Sequence, residues 1–351
     1  MASLALAGVG SMSRLRVTVL GGGSFGTALA VIAARRGHKV VIWARNQDQV
    51  DAINATRRNP KRFKDYVLPK SISATSSVKE AMENVDLIIH AVPAQATPSF
   101  LRQHREDIPA SVPLVSTSKG IVIDTEQLMS EAITEVLGDR TSTQEKQPLA
   151  YLSGPSFAAE IIKGHPMAVV VASENIETAQ FIQRALSSKF FRIYTSTDVI
   201  GVEVGGAIKN PLAIGAGMAS GLEYGQSTLA SLITRGCAEM RKLAVAMGGK
   251  PETLAGLSGI GDLMLTSTSS QSRNFTLGYR MASEGLTCEE AVERSGQVVE
   301  GVATAKVAAK LCQKYGLSLP LFMTMAEILE GKITPADAFD IVMTRQVGSE
   351  F

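Results

Sequence analysis

The chain has 351 residues, 45% of them hydrophobic and 19% charged, with 35 basic and 33 acidic side chains giving a formal net charge of +2. That length suffices for two domains with a substantial core, and the composition excludes a disordered chain. So even a charge balance gives no global reason to expect nucleic acid as a partner, and any anion recognition has to come from local placement.

In chain order, residues 1–15 read as a leader, disordered or the end of a targeting segment. The first 16 positions lack acids and carry Ser, Ala, Arg14 and Arg16, but no long apolar run. Val17–Ala34 is uncharged, yet Gly21, Gly22, Gly23 and Gly26 break it into a strand, a turn and a helix, so it is not a membrane span. Arg16–Leu20 is an apolar, β-branched strand. Ser24–Arg36 is a helix closed by Gly37, and Lys39–Ala44 is a second strand. Asp48–Thr56 starts a helix. Val85–Val92 is a near-continuous apolar strand of the kind buried on both faces, ended by Pro93. Pro113–Ser116, Ala168–Ala172 and a short edge strand at Arg192–Tyr194 follow, and Thr141–Gln147 is a surface loop. This alternation predicts a doubly wound, mostly parallel sheet.

After about Asp198 helical periodicity takes over, at Gly201–Gly221, Ser227–Met247, Cys288–Arg294 and Val302–Tyr315. Pro335–Met343 is the last helix, with Thr334 placed to cap it. The fold class is therefore α/β, with a sheet domain at 16–198 and an all-helical domain at 199–351. Cys237, Cys288 and Cys312 are far apart and in no C-x-x-C pattern, which fits buried thiols in a reducing compartment. His38, His90, His104 and His165 share no metal-ligand spacing, so no metal is expected.

Gly21-Gly22-Gly23-Ser24-Phe25-Gly26 fits G-x-G-x-x-G, after a strand and opening a helix, which is the context a dinucleotide fingerprint needs. Gly21 permits the tight turn, Gly23 leaves room for the pyrophosphate and Gly26 lets helix pack on strand. The acid expected about 20 positions on, at the ribose hydroxyls, is missing. Trp43-Ala44-Arg45 stands there, and the first acid is Asp48. Arg45 meets a 2′-phosphate, stacks on adenine or lies in solvent, and the sequence leaves NAD(H) against NADP(H) open.

Further segments carry charge among small residues. Ser118-Lys119-Gly120 follows a strand, where ligands bind in such sheets. Ser153-Gly154-Pro155-Ser156-Phe157-Ala158 is a turn-rich loop, and Ser272-Arg273-Asn274 is a compact polar triplet beyond Gly261-Asp262. Lys209 lies in a helix of Gly205, Gly206, Ala207 and Ile208. Burial there would lower its pKa and make it a proton donor; the alternative is a lysine snorkelling to the helix surface. Taken alone, Arg273 reads as a surface residue and Asp262 as a helix cap.

These motifs, in this order and with Glu300-Gly301 beyond them, resemble the NAD(P)-dependent glycerol-3-phosphate dehydrogenase family over about residues 16 to 340. The likeness is closer to its bacterial and plastid types than to the animal cytosolic type. The resemblance implies a Rossmann-like first domain and a helical substrate domain. It implies reversible hydride transfer between NAD(P)H and dihydroxyacetone phosphate, giving sn-glycerol 3-phosphate for glycerolipid synthesis and redox balance. It makes Lys209 the general acid, Lys119 a holder of substrate and of developing negative charge, and Asp262 their orienter. Ser272, Arg273 and Asn274 would grip the phosphate, helped by Gly154, Ser156 and Asn210. Gly21, Gly23, Ser24, Phe25, Gly26, Arg45, Lys119, Ala158, Arg273, Val298 and Glu300 would line the cofactor site. Two rivals are a dehydrogenase of the same design acting on a 3-hydroxy acid or ketopantoate, and a nucleotide-binding regulator without turnover. The Ser272–Asn274 grip argues against the first, and intact Lys119, Lys209, Asp262 and Arg273 against the second. A homodimer in the cytoplasm is expected, with the plastid stroma second and neither nucleic acid nor membrane as partner.

Overall fold

The computed structural model describes residues 13–138, 146–296 and 299–346. The chain forms two compact units, and these are not two continuous blocks divided at 198. The first unit runs through Ser118, then Met129–Leu152 and Ser156–Val199. The second takes Lys119–Leu128, Ser153–Pro155 and everything from Ile200 onward. The physical reason for the first exchange is hydrophobic. Ile121 and Leu128, joined by an isolated antiparallel bridge, are buried in the core of the second unit.

The first unit is built on eight strands: β1 (Arg16–Leu20), β2 (Lys39–Trp43), β3 (Ile72–Thr75), β4 (Leu87–His90), β5 (Leu114–Ser116), β6 (Leu149–Ser153), β7 (Met167–Ala172) and β8 (Phe191–Ser196). Their order is β3-β2-β1-β4-β5-β6-β7-β8. The pairs β1·β2, β1·β4, β2·β3, β4·β5, β5·β6 and β7·β8 are all parallel. β4 is buried at all four positions, as its unbroken apolar run Leu87-Ile88-Ile89 requires. β8 lies at the sheet edge and alternates buried Phe191 and Ile193 with exposed Arg192 and Tyr194. β3 and β6 were not named as strands from the sequence; β3 is only four residues, Ile-Ser-Ala-Thr, with too little apolar pattern to mark it.

Two sequence readings need correction here. Leu15, counted with the leader, is buried, and its backbone N–H donates to His38 Nδ1 at 3.2 Å. In the predicted loop Thr141–Gln147, residues 141–145 lie outside the described residues. Gln147 is buried, not at the surface, because its amide donates to the carbonyls of Pro109 (3.2 Å) and Val112 (2.9 Å).

The second unit is helical. Val199–Gly221 is its longest helix, buried along nearly all of its length, followed by Gln226–Ala246. Further helices are Asp262–Ser267, Arg273–Ser283, Cys288–Ser295, Glu300–Lys314, Pro320–Leu329 and Pro335–Met343. Thr334 caps the last, its hydroxyl accepting from Asp337 N at 3.2 Å. Among the described residues no helix is long and apolar enough to cross a membrane.

One buried acid ties two of these helices together. Glu239, on Gln226–Ala246, accepts backbone N–H groups of Leu321 (3.0 and 3.1 Å) and Phe322 (3.3 Å) in the first turn of Pro320–Leu329. Burial pushes its carboxyl up to about 7, partly offset by those N–H groups and by Arg235 and Lys242. A raised folded pKa favours the protonated fold, so its contribution is complete below 4.5 and is lost as pH rises through 7. Glu239→Gln should therefore gain stability relative to the parent by about 1–3 kcal/mol between pH 5 and pH 8. Denaturant titrations at the two pH values check this, and a difference independent of pH would refute it.

Candidate functional site

In the first unit the strand order reverses between β1 and β4, and a crevice at the carboxyl end of such a sheet is where ligands bind. The glycine-rich turn stands there. Gly21 follows β1 with φ +125°, and a Cβ on it would lie 2.6 Å from the Ala91 carbonyl oxygen. A Cβ on Gly26 would lie 2.0 Å from the Gly21 carbonyl oxygen, so only glycine lets the helix approach this closely. Gly23 is different, because a Cβ there would meet nothing within 4 Å. It is also the N-cap of the Ser24–Arg35 helix, with no side-chain cap and no acid in the first turn. Open space above uncapped N–H groups at the positive end of a helix fits a pyrophosphate.

Ser24 and Phe25 form the first helical turn, and Phe25 packs against the first unit's core. Arg45 is exposed two residues beyond the end of β2, and no ion pair among the described residues engages it. Ala158 opens the Ala158–Lys163 helix against the same core, and Ser156 is half-buried just before it.

In the second unit the structure gathers charges from four stretches of chain. Lys209 is 6% exposed, buried and not snorkelling. The Val199–Gly221 helix can press this close because Gly205 and Gly206 carry no side chain. A Cβ on Gly205 would lie 2.5 Å from the Ser258 carbonyl oxygen, and one on Gly206 2.5 Å from Ser153 Oγ. Lys209 Nζ donates to Asp262 Oδ1 at 2.5 Å and to Thr266 Oγ1 at 2.6 Å. Asp262 Oδ2 takes Lys119 Nζ at 2.7 Å, and the same ammonium donates to the Gly154 carbonyl at 3.0 Å. One carboxylate thus bridges two lysines.

The electrostatics follow from that geometry. Burial lowers the Lys209 pKa most and nearby Lys119 lowers it further; Asp262 resists, and the balance lies at about 8. Burial pushes the Asp262 carboxyl up, but Lys119 and Lys209 outweigh it and hold the acid below its ordinary range. Glu300, at the start of Glu300–Lys314, is pushed up by burial against the pull of Arg273, Lys209 and Lys119.

Around this cluster, Asn210 is buried and its Oδ1 accepts Asn274 Nδ2 at 3.1 Å; Asn274 Oδ1 accepts Gly301 N at 3.0 Å. Ser272 is the N-cap of Arg273–Ser283, its hydroxyl accepting from Phe275 N at 3.2 Å, and Arg273 is exposed. Val298 lies outside the described residues. Thr266 went unnoticed in the sequence, yet it also donates to the Asp262 carbonyl at 2.7 Å. Its signal is the i, i+4 spacing to Asp262, legible only once Asp262–Ser267 is known to be helical. Ser153 Oγ was missed too: it is buried beside Gly206 with no hydrogen-bond partner. Among the described residues no group of His, Cys, Asp and Glu is arranged to hold a metal ion.

Profiles of the NAD-dependent glycerol-3-phosphate dehydrogenase family match residues 16–179 with its N-terminal part and 198–340 with its C-terminal part. The chain belongs to this family. A glycerol-3-phosphate dehydrogenase [NAD(P)+] of Brucella canis is 44% identical over 336 residues, covering 95% of this chain and 99% of the relative. That of Bacillus pumilus is 44% identical over 331 residues, 94% of each chain. The crystal structure of glycerol-3-phosphate dehydrogenase from Coxiella burnetii superposes with a TM-score of 0.88 at 35% identity, covering 95% of this chain and 99% of that one.

Gly26→Ala would force a methyl group into the Gly21 carbonyl. The expected outcome is a loss of about 1–3 kcal/mol of stability together with weakened dinucleotide binding. Thermal unfolding and NADH fluorescence titration check both, and an unperturbed affinity would remove Gly26 from the turn's function.

Proposed function

We propose that this chain reversibly reduces dihydroxyacetone phosphate to sn-glycerol 3-phosphate with NADH or NADPH, and that Lys209 supplies the proton. The observation that carries this reading is the Lys209–Asp262–Lys119 triad, buried at Lys209 and Asp262 and half-buried at Lys119, in a chain of this family. Two cations and one anion leave the triad with net positive charge, which favours an anionic substrate and the alkoxide developing at carbon 2. When bound, the nicotinamide ring supplies or accepts the hydride. Lys209, with its pKa at about 8, protonates the carbonyl oxygen in reduction and takes the hydroxyl proton in oxidation. Asp262 aims both ammonium groups, and Lys119 holds the substrate oxygen.

Arg273, Ser272 and Asn274 grip the phosphate, with Asn210 and the backbone at Gly154 and Ser156 beside it. The glycine turn with Ser24, Phe25, Arg45 and Ala158, and Lys119, Arg273, Val298 and Glu300, holds the dinucleotide. The same reading carries a homodimer and a cytoplasmic location, with the plastid stroma second. Sedimentation at twice the monomer mass would support the dimer, and at the monomer mass would overturn it.

The first test follows NADH and NADPH absorbance with dihydroxyacetone phosphate; folded protein that oxidises neither overturns the reaction. Lys209→Ala should cost about 100-fold or more in kcat while cofactor affinity holds. Arg273→Ala should instead raise the substrate KM about tenfold or more, with kcat also impaired. An active Lys209→Ala enzyme, or an Arg273→Ala enzyme with parental KM, refutes the role concerned.

The pH profile gives an independent check. Reduction requires protonated Lys209, so kcat/KM should decline above about pH 8. Asp262 raises the Lys209 pKa, so Asp262→Asn should move that decline about one unit or more toward acid. An unmoved alkaline limb would detach Asp262 from the proton donor.

A further inference from the structure

A cleft of about 590 Å³ opens on the second unit, and no residue of the Lys209–Asp262–Lys119 triad lines it. Its floor is the Val199–Gly221 helix, through the buried Leu212, Gly215 and Met218. Met218 falls about half a turn round that helix from Lys209, so the floor and the proton donor use different faces. The walls come from Gln226–Ala246, Pro320–Leu329 and Pro335–Met343. A Cβ on Gly215 would lie 3.0 Å from Met325 Sδ, so the bare backbone lets that thioether rest across the floor. Clefts of this size, apolar below with a few polar groups above, are where small molecules bind.

The lip of the cleft is cationic. Arg235, on Gln226–Ala246, and Arg345, beyond the end of Pro335–Met343, both line it and are exposed. No ion pair among the described residues engages Arg345. Glu239 is the acid among the described residues on its wall, and it adds little negative charge. Its oxygens accept backbone N–H groups of Leu321 and Phe322, and burial pushes its carboxyl up to about 7. At neutral pH the lining is therefore positive on balance. Met343, at the same lip, is apolar yet 79% exposed. With Met218 and Met325 it lines the cleft with thioethers, side chains that refit themselves around irregular apolar guests.

These features select an occupant. An apolar helix laid into the cleft would bring a dry surface against two guanidinium groups, costing them their hydration without an acceptor in return. A carboxylate suits them, because guanidinium groups take it by paired, charge-assisted hydrogen bonds. The apolar floor below suits a flexible alkyl chain. We propose that the cleft binds a medium-chain fatty carboxylate, its chain over Gly215 and Met218 and its head at Arg235 and Arg345. The site does not depend on the chemistry of the triad, so binding is read without turnover.

Calorimetric titration of the full chain with octanoate, decanoate and 1-octanol tests the site. Each methylene moved out of water is worth about fourfold, so decanoate should bind about tenfold more tightly than octanoate. Octanol, with a similar chain and no charge, should bind about tenfold more weakly than octanoate. The Arg235→Gln/Arg345→Gln double variant should lose that tenfold for the carboxylates alone and bind octanol as the parent does. Ser231→Trp, which adds bulk at the exposed edge of the cleft, should weaken all three. Equal affinities of the parent for octanoate and octanol, or an unchanged carboxylate affinity in the folded double variant, overturn the proposal. So does a folded parent that binds none of them; if Ser231→Trp then also turns a sedimenting dimer into a monomer, the cleft is the seat of a second copy.

Discussion

Asp262 holds two ammonium groups with its two oxygens, and the helical unit is arranged so that this can happen in a dry place. A carboxylate with 2% of its surface exposed would take up a proton if left alone; the lysines at 2.5 and 2.7 Å keep it ionised. The dependence is mutual at Lys209, where burial pushes the ammonium toward losing its proton and Asp262 opposes this. Such a group is sensitive to losing any one member, because what stays behind is an unpaired buried charge. The glycines opposite Ser258 and Ser153, the single helical turn that brings Thr266 over Asp262, and the second unit's claim on residues 119–128 all serve this one contact.

The two halves of the proposed chemistry rest on different physical terms. The glycine turn works by subtraction: missing side chains, a missing side-chain cap and a missing acid leave backbone N–H groups facing open space. The triad works by excess, with more positive charge than its single carboxylate can offset. Beside it, burial pushes the Glu300 carboxyl up while Arg273 and the two lysines pull it down.

Much of this was legible before any coordinates. Strands β1, β2, β4, β5 and β7 announce themselves as apolar β-branched runs, and the glycine turn is a local pattern read directly. Lys209 stood out because a charge among Gly and Ala has no surface purpose. What stayed hidden was short or non-local. β3 has two apolar residues in four, and the Asp262–Ser267 helix is too brief to show periodicity. Asp262 and Arg273 taken singly read as a cap and a surface residue; the ordered set of family motifs pointed to both. No local rule says that Lys119, 143 positions away from Asp262, shares its carboxylate, nor that Gln147 turns inward.

The interleaving of the two units bears on how the chain is made. Synthesis runs from the N-terminus, and domains fold as their sequence emerges. Ile121 and Leu128 leave the ribosome long before Val204, Leu212, Leu243 or Val307, the residues whose core receives them. During that interval the sheet can pair, yet two large apolar side chains have no home and the seat of Lys119 does not exist. The nascent sheet unit thus presents a temporary greasy patch, a natural point for a chaperone to hold. The triad can be assembled only once Asp262 has emerged, 143 positions after Lys119.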